Sequence, residues 1–310
     1  LLVGLHYYIA FDRLLKNITD GTKVIYFAEL HGWENALNMV LRERQEICSV
    51  GLQHTIVPLL YLTYFYDHRE LQEKDLLKSL PKPNFLGCVG PITEKIFLES
   101  GWSEEELFII GGFRFKSIAE RLNRDVFAQK KKNRIVVALS IADFENEEVL
   151  RMLYDAFKDR KPKYKIIVKP HPCHNLYSLL EKMNIVLISD IFEISMKSLS
   201  DLVPGSSAMI VKESSSMFEA LVEEIPVIVP QLYSIVDLCP LSGISDIPIY
   251  VKNSEELYQM IEDIFANKSV RKPQESGREF LKRYLDFPEN TEQYIENLKK
   301  VTAKEEGLAH

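Results

Sequence analysis

The chain has 310 residues, of which 46% are hydrophobic and 27% are charged, and its formal net charge is −7. This length suits two ordinary domains, and the composition is that of a globular protein with substantial cores. The acidic net charge argues against a nucleic-acid-binding protein, and no stretch reaches the ~18 apolar residues that a membrane span needs.

The four cysteines are scattered, without a CxxC pair: Cys48, Cys88, Cys173 and Cys239. This pattern argues against a zinc site and fits a reducing compartment, so we expect a cytoplasmic protein. The apolar residues 1–5 lack the basic segment and the cleavage site of a signal peptide. They also lack an initiator Met, which we interpret as a start inside a longer protein.

The first part of the chain alternates helical and strand patterns. Apolar residues at helical spacing predict a helix over 1–18, and a fully apolar run predicts a buried strand over 24–27. Residues 55–83 match neither pattern, and we predict a mobile, lid-like segment there. The remaining patterns predict a helix over 34–44, strands over 47–54, 84–90 and 107–110, and a helix around 96–98.

The alternation restarts after a charged helix predicted over residues 119–133, which we interpret as a connection between domains. Its basic end, residues 130–134, is more typical of a solvated linker than of a binding patch. Strands are predicted over 135–139, 164–168, 185–188, 208–211, 226–229 and 247–251, and helices over 147–157, 194–202, 215–223 and 254–266. Two charged amphipathic helices are predicted in the tail, over 275–305.

This order predicts an α/β protein with two Rossmann-like parallel-sheet domains that face a cleft. We place an N-terminal domain at residues 1–125 and a C-terminal domain at 134–274. The helices of residues 275–310 are expected to pack back on the N-terminal domain.

A His-Pro block directly follows the apolar run 164–168. It consists of Lys169, Pro170, His171 and Pro172. The prolines fix the backbone and end the strand, so the imidazole is presented at the carboxyl edge of a sheet, where ligands bind. There it can donate to an anionic oxygen or protonate a leaving group. We expect Lys169, His171 and Pro172 to contact a donor phosphate, with His171 as a catalytic residue; the alternative is a His bonded within a turn.

A serine-rich block, residues 212–221, directly follows the apolar run 208–211. It opens a helix with Ser214, Ser215 and Ser216. Free N–H groups at a helix start, together with hydroxyl donors, favour a bound anion. A simple N-cap needs only one serine, so three in a row favour phosphate binding.

Further acidic side chains lie near these blocks. Glu219, one turn inside the helix, is expected either to accept from a ribose hydroxyl or to cap Ser216. Asp143 and Glu145 follow the first strand of the second half and are a weaker alternative acidic site.

In the first half, polar residues follow each predicted strand. Glu29 stands at the end of the first strand and is our choice for a general base, with Glu34 as the second choice because a helix start already explains it. Gln53, His54 and Arg114 end the next strands and are expected, together with Glu34, to line the same cleft. Arg114 would hold an anionic group or form an interdomain salt bridge.

The chain contains no GxGxxG, GxxxxGK[ST], HExxH or GxSxG motif. The combination of residues 169–172, 214–221 and 225–228 resembles glycosyltransferases of the GT-B fold. More narrowly, it resembles bacterial surface-carbohydrate enzymes that use CMP-activated sugars, such as sialyl-, polysialyl- and Kdo-transferases. Residues 29–54 also resemble a group of uncharacterised surface-carbohydrate biosynthesis proteins. For this fold the N-terminal half is short by a strand or two, which we interpret as truncation.

The resemblance implies that the N-terminal domain is the acceptor side and that the C-terminal domain binds the donor nucleotide. It also implies that His171 and the three serines meet the CMP phosphate, that Glu219 lies near the ribose, and that no metal or other cofactor is required. It further implies transfer of a sugar, an ulosonic acid, onto a surface glycan or lipid-linked glycan, at the inner face of the membrane as a peripheral protein. The alternatives are a CDP-glycerol- or UDP-sugar-dependent transferase, an enzyme like the UDP-GlcNAc 2-epimerases, and a non-catalytic nucleotide-sugar-binding protein.

Overall fold

The computed structural model describes residues 2–19, 21–29, 31–44, 46–73, 75, 78–124, 132–233, 235–268, 271–288 and 290–308, with only the backbone for 300–308. The chain forms two compact units. Unit 1 comprises Leu1–Val57, Tyr61–Ser117 and Lys282–His310, and unit 2 comprises Pro58–Leu60 and Ile118–Leu281.

The elements up to the predicted connection are α1 (Leu2–Leu15), β1 (Lys23–Ala28), α2 (Gly32–Arg42), β2 (Cys48–Gln53), α3 (His68–Gln72), β3 (Phe85–Cys88), α4 (Pro91–Glu99), β4 (Leu107–Ile109) and α5 (Lys116–Leu122). Short 3-10 helices cover Leu62–Tyr64 and Phe113–Phe115. All strand pairs in this part are parallel, in the order β1-β2-β3-β4.

The following elements are β5 (Arg134–Ala138), α6 (Asp143–Phe157), β6 (Lys165–Lys169), α7 (Leu176–Lys182), β7 (Phe192–Ile194), α8 (Leu199–Leu202), β8 (Ala208–Val211), α9 (Phe218–Val222), β9 (Val227–Pro230), β10 (Ile249–Val251), α10 (Ser254–Phe265), α11 (Gly277–Tyr284) and α12 (Thr291–Leu308). The six strands form one parallel sheet in the order β10-β9-β8-β5-β6-β7.

In the sheet of unit 2, the chain runs outward from β5 in both directions. It proceeds from β5 to β6 and β7 on one side, and then returns to β8, β9 and β10 on the other. The carboxyl ends of β5 and β8 therefore flank a topological switch point, where ligands bind in open α/β sheets. The strands that form it are almost wholly buried, as in β8, whose four residues are all buried, because helices cover both faces.

Two predicted elements are wrong. The predicted strand over 185–188 is absent, and the strand lies instead at Phe192–Ile194, which shortens the next predicted helix to Leu199–Leu202. Asn184 has a left-handed φ of 52°, and Ile185 N donates to Leu180 O at 3.0 Å, so these residues close the end of α7. The apolar run marks the hydrophobic contact of a helix cap, which a short run alone does not distinguish from a strand.

The predicted lid over 55–83 contains a 3-10 helix and α3, and several of its apolar side chains are at least 93% buried. They include Ile56, Val57, Tyr64 and Leu71. The helix predicted over 119–133 is shorter than expected, since α5 ends at Leu122, and its residues 125–131 lie outside the described residues. Within the described part of the chain, no helix is long and apolar enough to cross a membrane.

Candidate functional site

The His-Pro block and the serine block begin at equivalent positions on the sheet of unit 2. Lys169, the last residue of β6, is paired in register with Ala138 of β5, and Val211, the last residue of β8, is paired with the same Ala138. The two blocks thus leave the same edge of the sheet two strands apart, which corresponds to ~10 Å at the usual strand spacing. This confirms the prediction that they share the carboxyl edge of one sheet.

His171 is half-buried in a turn closed by its own carbonyl, which accepts from His174 N at 3.0 Å. Its Nδ1 accepts a hydrogen bond from Cys173 N at 3.3 Å. In the neutral imidazole this assigns the proton to Nε2, which is then a donor. Burial lowers the pKa of His171, and the neighbouring His174 and Lys169 lower it further. The structure therefore presents a neutral imidazole that an arriving anion would make more basic.

The side chains beside His171 hold the turn and supply charge. Lys169 Nζ donates to Pro170 O at 2.9 Å, which keeps the ammonium next to the turn. His174 Nδ1 lies 2.8 Å from Asp143 Oδ1, at the start of α6. The contact connects the turn after β6 to the start of α6, which follows the neighbouring strand β5.

The serine block opens with a cap. Ser214 Oγ accepts from Ser216 N at 3.2 Å, and a 3-10 turn over Ser215–Met217 leads into α9. All three serines are half-buried, whereas Met217 is fully buried. Since α9 is only one turn and a half long, its dipole is weak, and the hydroxyls are the stronger donors for an anion.

Glu219 forms an ion pair with Arg121, and Arg121 Nη1 also lies 3.6 Å from Glu223 Oε1. All three side chains are largely buried. Burial raises the pKa of Glu219, while the Arg121 charge opposes this shift. In the structure, therefore, the carboxylate pairs with Arg121 and not with Ser216, and its predicted contact to a ribose stays a prediction.

A charged cluster that sequence reasoning largely missed lies at the switch point. Lys212, which is 4% exposed, forms an ion pair with Glu148 of α6. Glu213 and Glu145 adjoin this pair, and each influences the ionisation of the other. A sequence signal was present, because Lys212 and Glu213 directly follow a fully apolar strand, but only the register of β8 beside β5 brings them to α6.

In unit 1, three of the predicted residues lie close enough to influence one another. Burial lowers the pKa of His54, the positive charge of Arg114 lowers it further, and Glu29 opposes both. The Glu29 carboxylate lies 3.4 Å from His31 Nε2, and the His54 ring packs against the Phe27 ring in a tilted arrangement, with 4.7 Å between the ring centroids. The ends of β1 and β2 and the turn after β4 thus form one polar group, as their parallel order requires.

Glu34 and Gln53 have structural roles that the sequence does not separate from cleft lining. Glu34 is 2% exposed, and its carboxylate accepts from Glu29 N at 3.0 Å and from His31 N at 3.0 Å, which holds the turn into α2. Gln53 is 5% exposed; it accepts from Val89 N at 3.0 Å and donates to Thr55 O at 2.6 Å. The prediction that they line an open cleft does not fit this burial.

No protein-family model matches the chain, and no curated protein is similar enough to count as a relative. Solved structures are similar in fold. The UDP-GlcNAc 2-epimerase from Methanocaldococcus jannaschii, in complex with UDP-GlcNAc and UDP, is 12% identical with a TM-score of 0.59, over 97% of this chain and 80% of that chain. The UDP-N-acetylglucosamine 2-epimerase from Rickettsia bellii is 12% identical with a TM-score of 0.53, over 96% and 77%.

A glycosyltransferase has the same fold. The pneumococcal O-GlcNAc transferase GtfA, in complex with UDP and GlcNAc, is 14% identical with a TM-score of 0.51, over 95% of this chain and 59% of that chain. Identities this low show the fold alone. The predicted α/β class with two Rossmann-like parallel sheets of the GT-B type is confirmed.

Proposed function

We propose that this protein is a GT-B enzyme that binds a nucleotide sugar and transfers its glycosyl group to a glycan acceptor. The observation that carries the proposal is the common register of Lys169 and Val211 with Ala138. Because of this register, an imidazole, an ammonium group and three serine hydroxyls leave one sheet edge beside a switch point. This combination suits a phosphate that gains charge as it departs.

In the proposed reaction, Nε2–H of His171 donates to a phosphate oxygen of the leaving nucleotide, and the ammonium group of Lys169 offsets the developing charge. The lowered pKa of His171 favours the neutral imidazole before the donor binds, and the negative charge of an arriving phosphate would raise this pKa again. The serine hydroxyls supply further donors. Glu29 is the proposed base for the acceptor hydroxyl. His54 lies near it, and the charges of Glu29 and Arg114 shift the pKa of His54 in opposite directions.

A UDP-linked donor is favoured over the CMP-linked ulosonic acid that the sequence resemblance implies. The support comes from similar structures, since the epimerase from M. jannaschii holds UDP-GlcNAc and UDP and the pneumococcal transferase holds UDP and GlcNAc. The second candidate function is epimerisation of a UDP-linked amino sugar, which the two epimerases of similar fold favour. CDP-glycerol stays the third donor to test.

The test incubates the protein with UDP-GlcNAc, CMP-N-acetylneuraminate or CDP-glycerol, with and without glycan acceptors, and follows the products by NMR. Transfer or acceptor-independent hydrolysis, lost in Glu29→Gln and His171→Ala, is the expected result. Conversion of UDP-GlcNAc to its 2-epimer would assign the second function. Binding of a nucleotide without turnover would leave a non-catalytic binding protein and contradict the enzymatic proposal.

A further inference from the structure

A cavity of about 750 Å³ opens in unit 2 beside the switch point. Its walls come from α6, from the end of α7 at Lys182, from the exit of β8 at Lys212 and Glu213, and from the loop after β9 that carries Tyr233. The cavity thus begins at Glu213, the residue directly before the serine block. A group attached to a phosphate held by that block would lie within reach of this space.

A buried ion pair and two backbone hydrogen bonds hold the charged wall of the cavity together. Glu148 pairs with Lys212 through one oxygen, and its other oxygen accepts from the backbone N–H groups of Leu232 and Tyr233. Both members of the pair are at most 4% exposed. The ion pair therefore fixes the loop after β9 against α6 and leaves Glu213 as the adjacent carboxyl on the cavity wall.

Behind Glu213 lies a second carboxyl without a full set of partners. Glu145 is 7% exposed, and its Oε2 has no hydrogen-bond partner among the described residues. An ionised carboxylate in this position would be costly, so burial raises its pKa. Burial first, and then the charge of Glu145, raise the pKa of Glu213 to about 7, which favours its protonated form up to neutral pH.

The charged groups that act on Glu213 come from three elements. They are Glu145 and Glu148 of α6, Lys212 at the strand exit and Asp237 of the loop after β9. At Glu213, three carboxyls against one ammonium group disfavour a further negative charge. The other cations on the wall already have partners, since Arg151 donates to Met183 O and Lys182 pairs with Glu147. The rest of the wall includes Phe144 and Tyr233, which are 68% and 69% exposed and present apolar ring faces.

We infer that this cavity is the subsite for the glycosyl group of the donor, that Glu213 binds one of its hydroxyls, and that the group it takes is a neutral sugar rather than a carboxylate-bearing one. A protonated carboxyl can donate and accept at once, which matches a sugar hydroxyl. Glu145 is a positioning residue, because its charge favours the protonated form of Glu213. This inference rests on the proposed function, because it assumes that the phosphate lies at the serine block.

The test compares the affinities of the whole protein for UDP-GlcNAc and for UDP by calorimetry, at pH 6 and pH 8. The affinity for UDP-GlcNAc divided by the affinity for UDP measures how much the sugar contributes to binding. Glu213→Ala should reduce this ratio by ~10-fold and leave UDP affinity unchanged, as expected for one lost buried hydrogen bond. In the wild type the ratio should fall from pH 6 to pH 8, and in Glu213→Gln it should be independent of pH.

Glu193→Gln, on the edge strand β7, is the matched control and should behave as the wild type. Melting curves show whether each variant is folded. If Glu213→Ala is not folded, the affinity ratio is measured in Glu213→Gln instead. An unchanged ratio in both Glu213 variants would overturn the subsite while UDP binding upheld the proposed function. A larger gain from CMP to CMP-N-acetylneuraminate than from UDP to UDP-GlcNAc would overturn the preference for a neutral sugar.

If neither nucleotide binds, the proposed function fails and the subsite is tested with GlcNAc alone. The carboxyl carbons of 13C-labelled glutamate report on the site, with Glu213→Gln assigning the resonance of Glu213. A shift of this resonance with millimolar GlcNAc would support the subsite. A resonance that does not move would overturn it.

Discussion

The backbone around His171 determines which nitrogen of its imidazole can donate. Two prolines and a closed turn hold the residue, and its Nδ1 is occupied by Cys173 N, which leaves Nε2 as the donor. We predict that His171→Ala lowers UDP affinity by ~10-fold, because a charge-assisted hydrogen bond to phosphate is lost. Calorimetry measures this, with His68→Ala on exposed α3 as the control. Equal affinities in His171→Ala and the wild type would contradict the assignment.

The ionisation of Glu213 gives a prediction about stability. Its pKa is raised from 4.5 to about 7 in the folded protein. Between these values the folded state holds a proton that the unfolded chain has released, so the free energy of unfolding should fall as pH rises from about 4.5 to about 7. Urea denaturation at pH 5, 6, 7 and 8 measures this slope. It should be shallower in Glu213→Gln and unchanged in Glu193→Gln; equal slopes in all three would contradict the prediction.

The sequence identifies residue types at the site better than it identifies their partners. His171 and the serines are found because they follow apolar strands. The ion pair of Glu219 with Arg121 is not, because it joins residues 98 positions apart. Glu34 illustrates the same limit, since burial alone distinguishes a carboxylate that holds a turn from one that faces a ligand.

At the scale of elements, the short helix α9 depends on its neighbour α11. Arg278 of α11 donates to Val222 O at 2.9 Å and to Arg121 O at 2.9 Å, and Gly277 lies directly against Leu221. A Cβ at Gly277 would meet Leu221 O at 2.5 Å, which is closer than real side chains come. This close approach fixes the end of the helix that the serine block opens.

Gly277→Ala should therefore destabilise unit 2 by ~1–3 kcal/mol, the usual cost of overpacking. Gly32→Ala is the matched control, because a Cβ at Gly32 would have nothing within 4 Å. Thermal melting monitored by circular dichroism compares the two. A midpoint for Gly277→Ala at or above that of Gly32→Ala would show that α11 does not press on α9.

Fully apolar runs predict the central strands of this chain well, but one such run lies at the end of a helix. The central strands β5, β6, β8 and β9 lie within two residues of their predicted bounds, since burial on both faces leaves a continuous apolar run. The run at 185–188 has the same appearance but closes α7. The strand β7 is missed because its three residues, Phe192–Ile194, alternate with an exposed Glu193 at the sheet edge.

At the scale of the whole molecule, the end of the chain belongs to the first unit. Tyr284 is fully buried in unit 1, where its hydroxyl accepts from Val57 N at 3.3 Å, and Asp286 N donates to Val89 O at 2.9 Å. Local sequence patterns carry no signal for so distant a contact.

Tyr284→Ala should destabilise unit 1 by ~3–5 kcal/mol, since it removes a large buried side chain and a hydrogen bond. Both tryptophans, Trp33 and Trp102, lie in unit 1, so fluorescence reports on this unit while circular dichroism reports on the whole chain. In urea, the fluorescence midpoint should fall and the circular dichroism curve should become biphasic. A single shared transition in the variant would contradict separate units.

The central claim is that a donor phosphate binds where β6 and β8 end. Hydrogen exchange of the intact protein, with and without millimolar UDP, tests it most directly. The account predicts slower exchange in peptides that cover residues 169–174 and 212–218, and no such protection in His171→Ala combined with Ser214→Ala, Ser215→Ala and Ser216→Ala. UDP-dependent protection confined to other peptides, or the same protection in the combined variant, would contradict the claim.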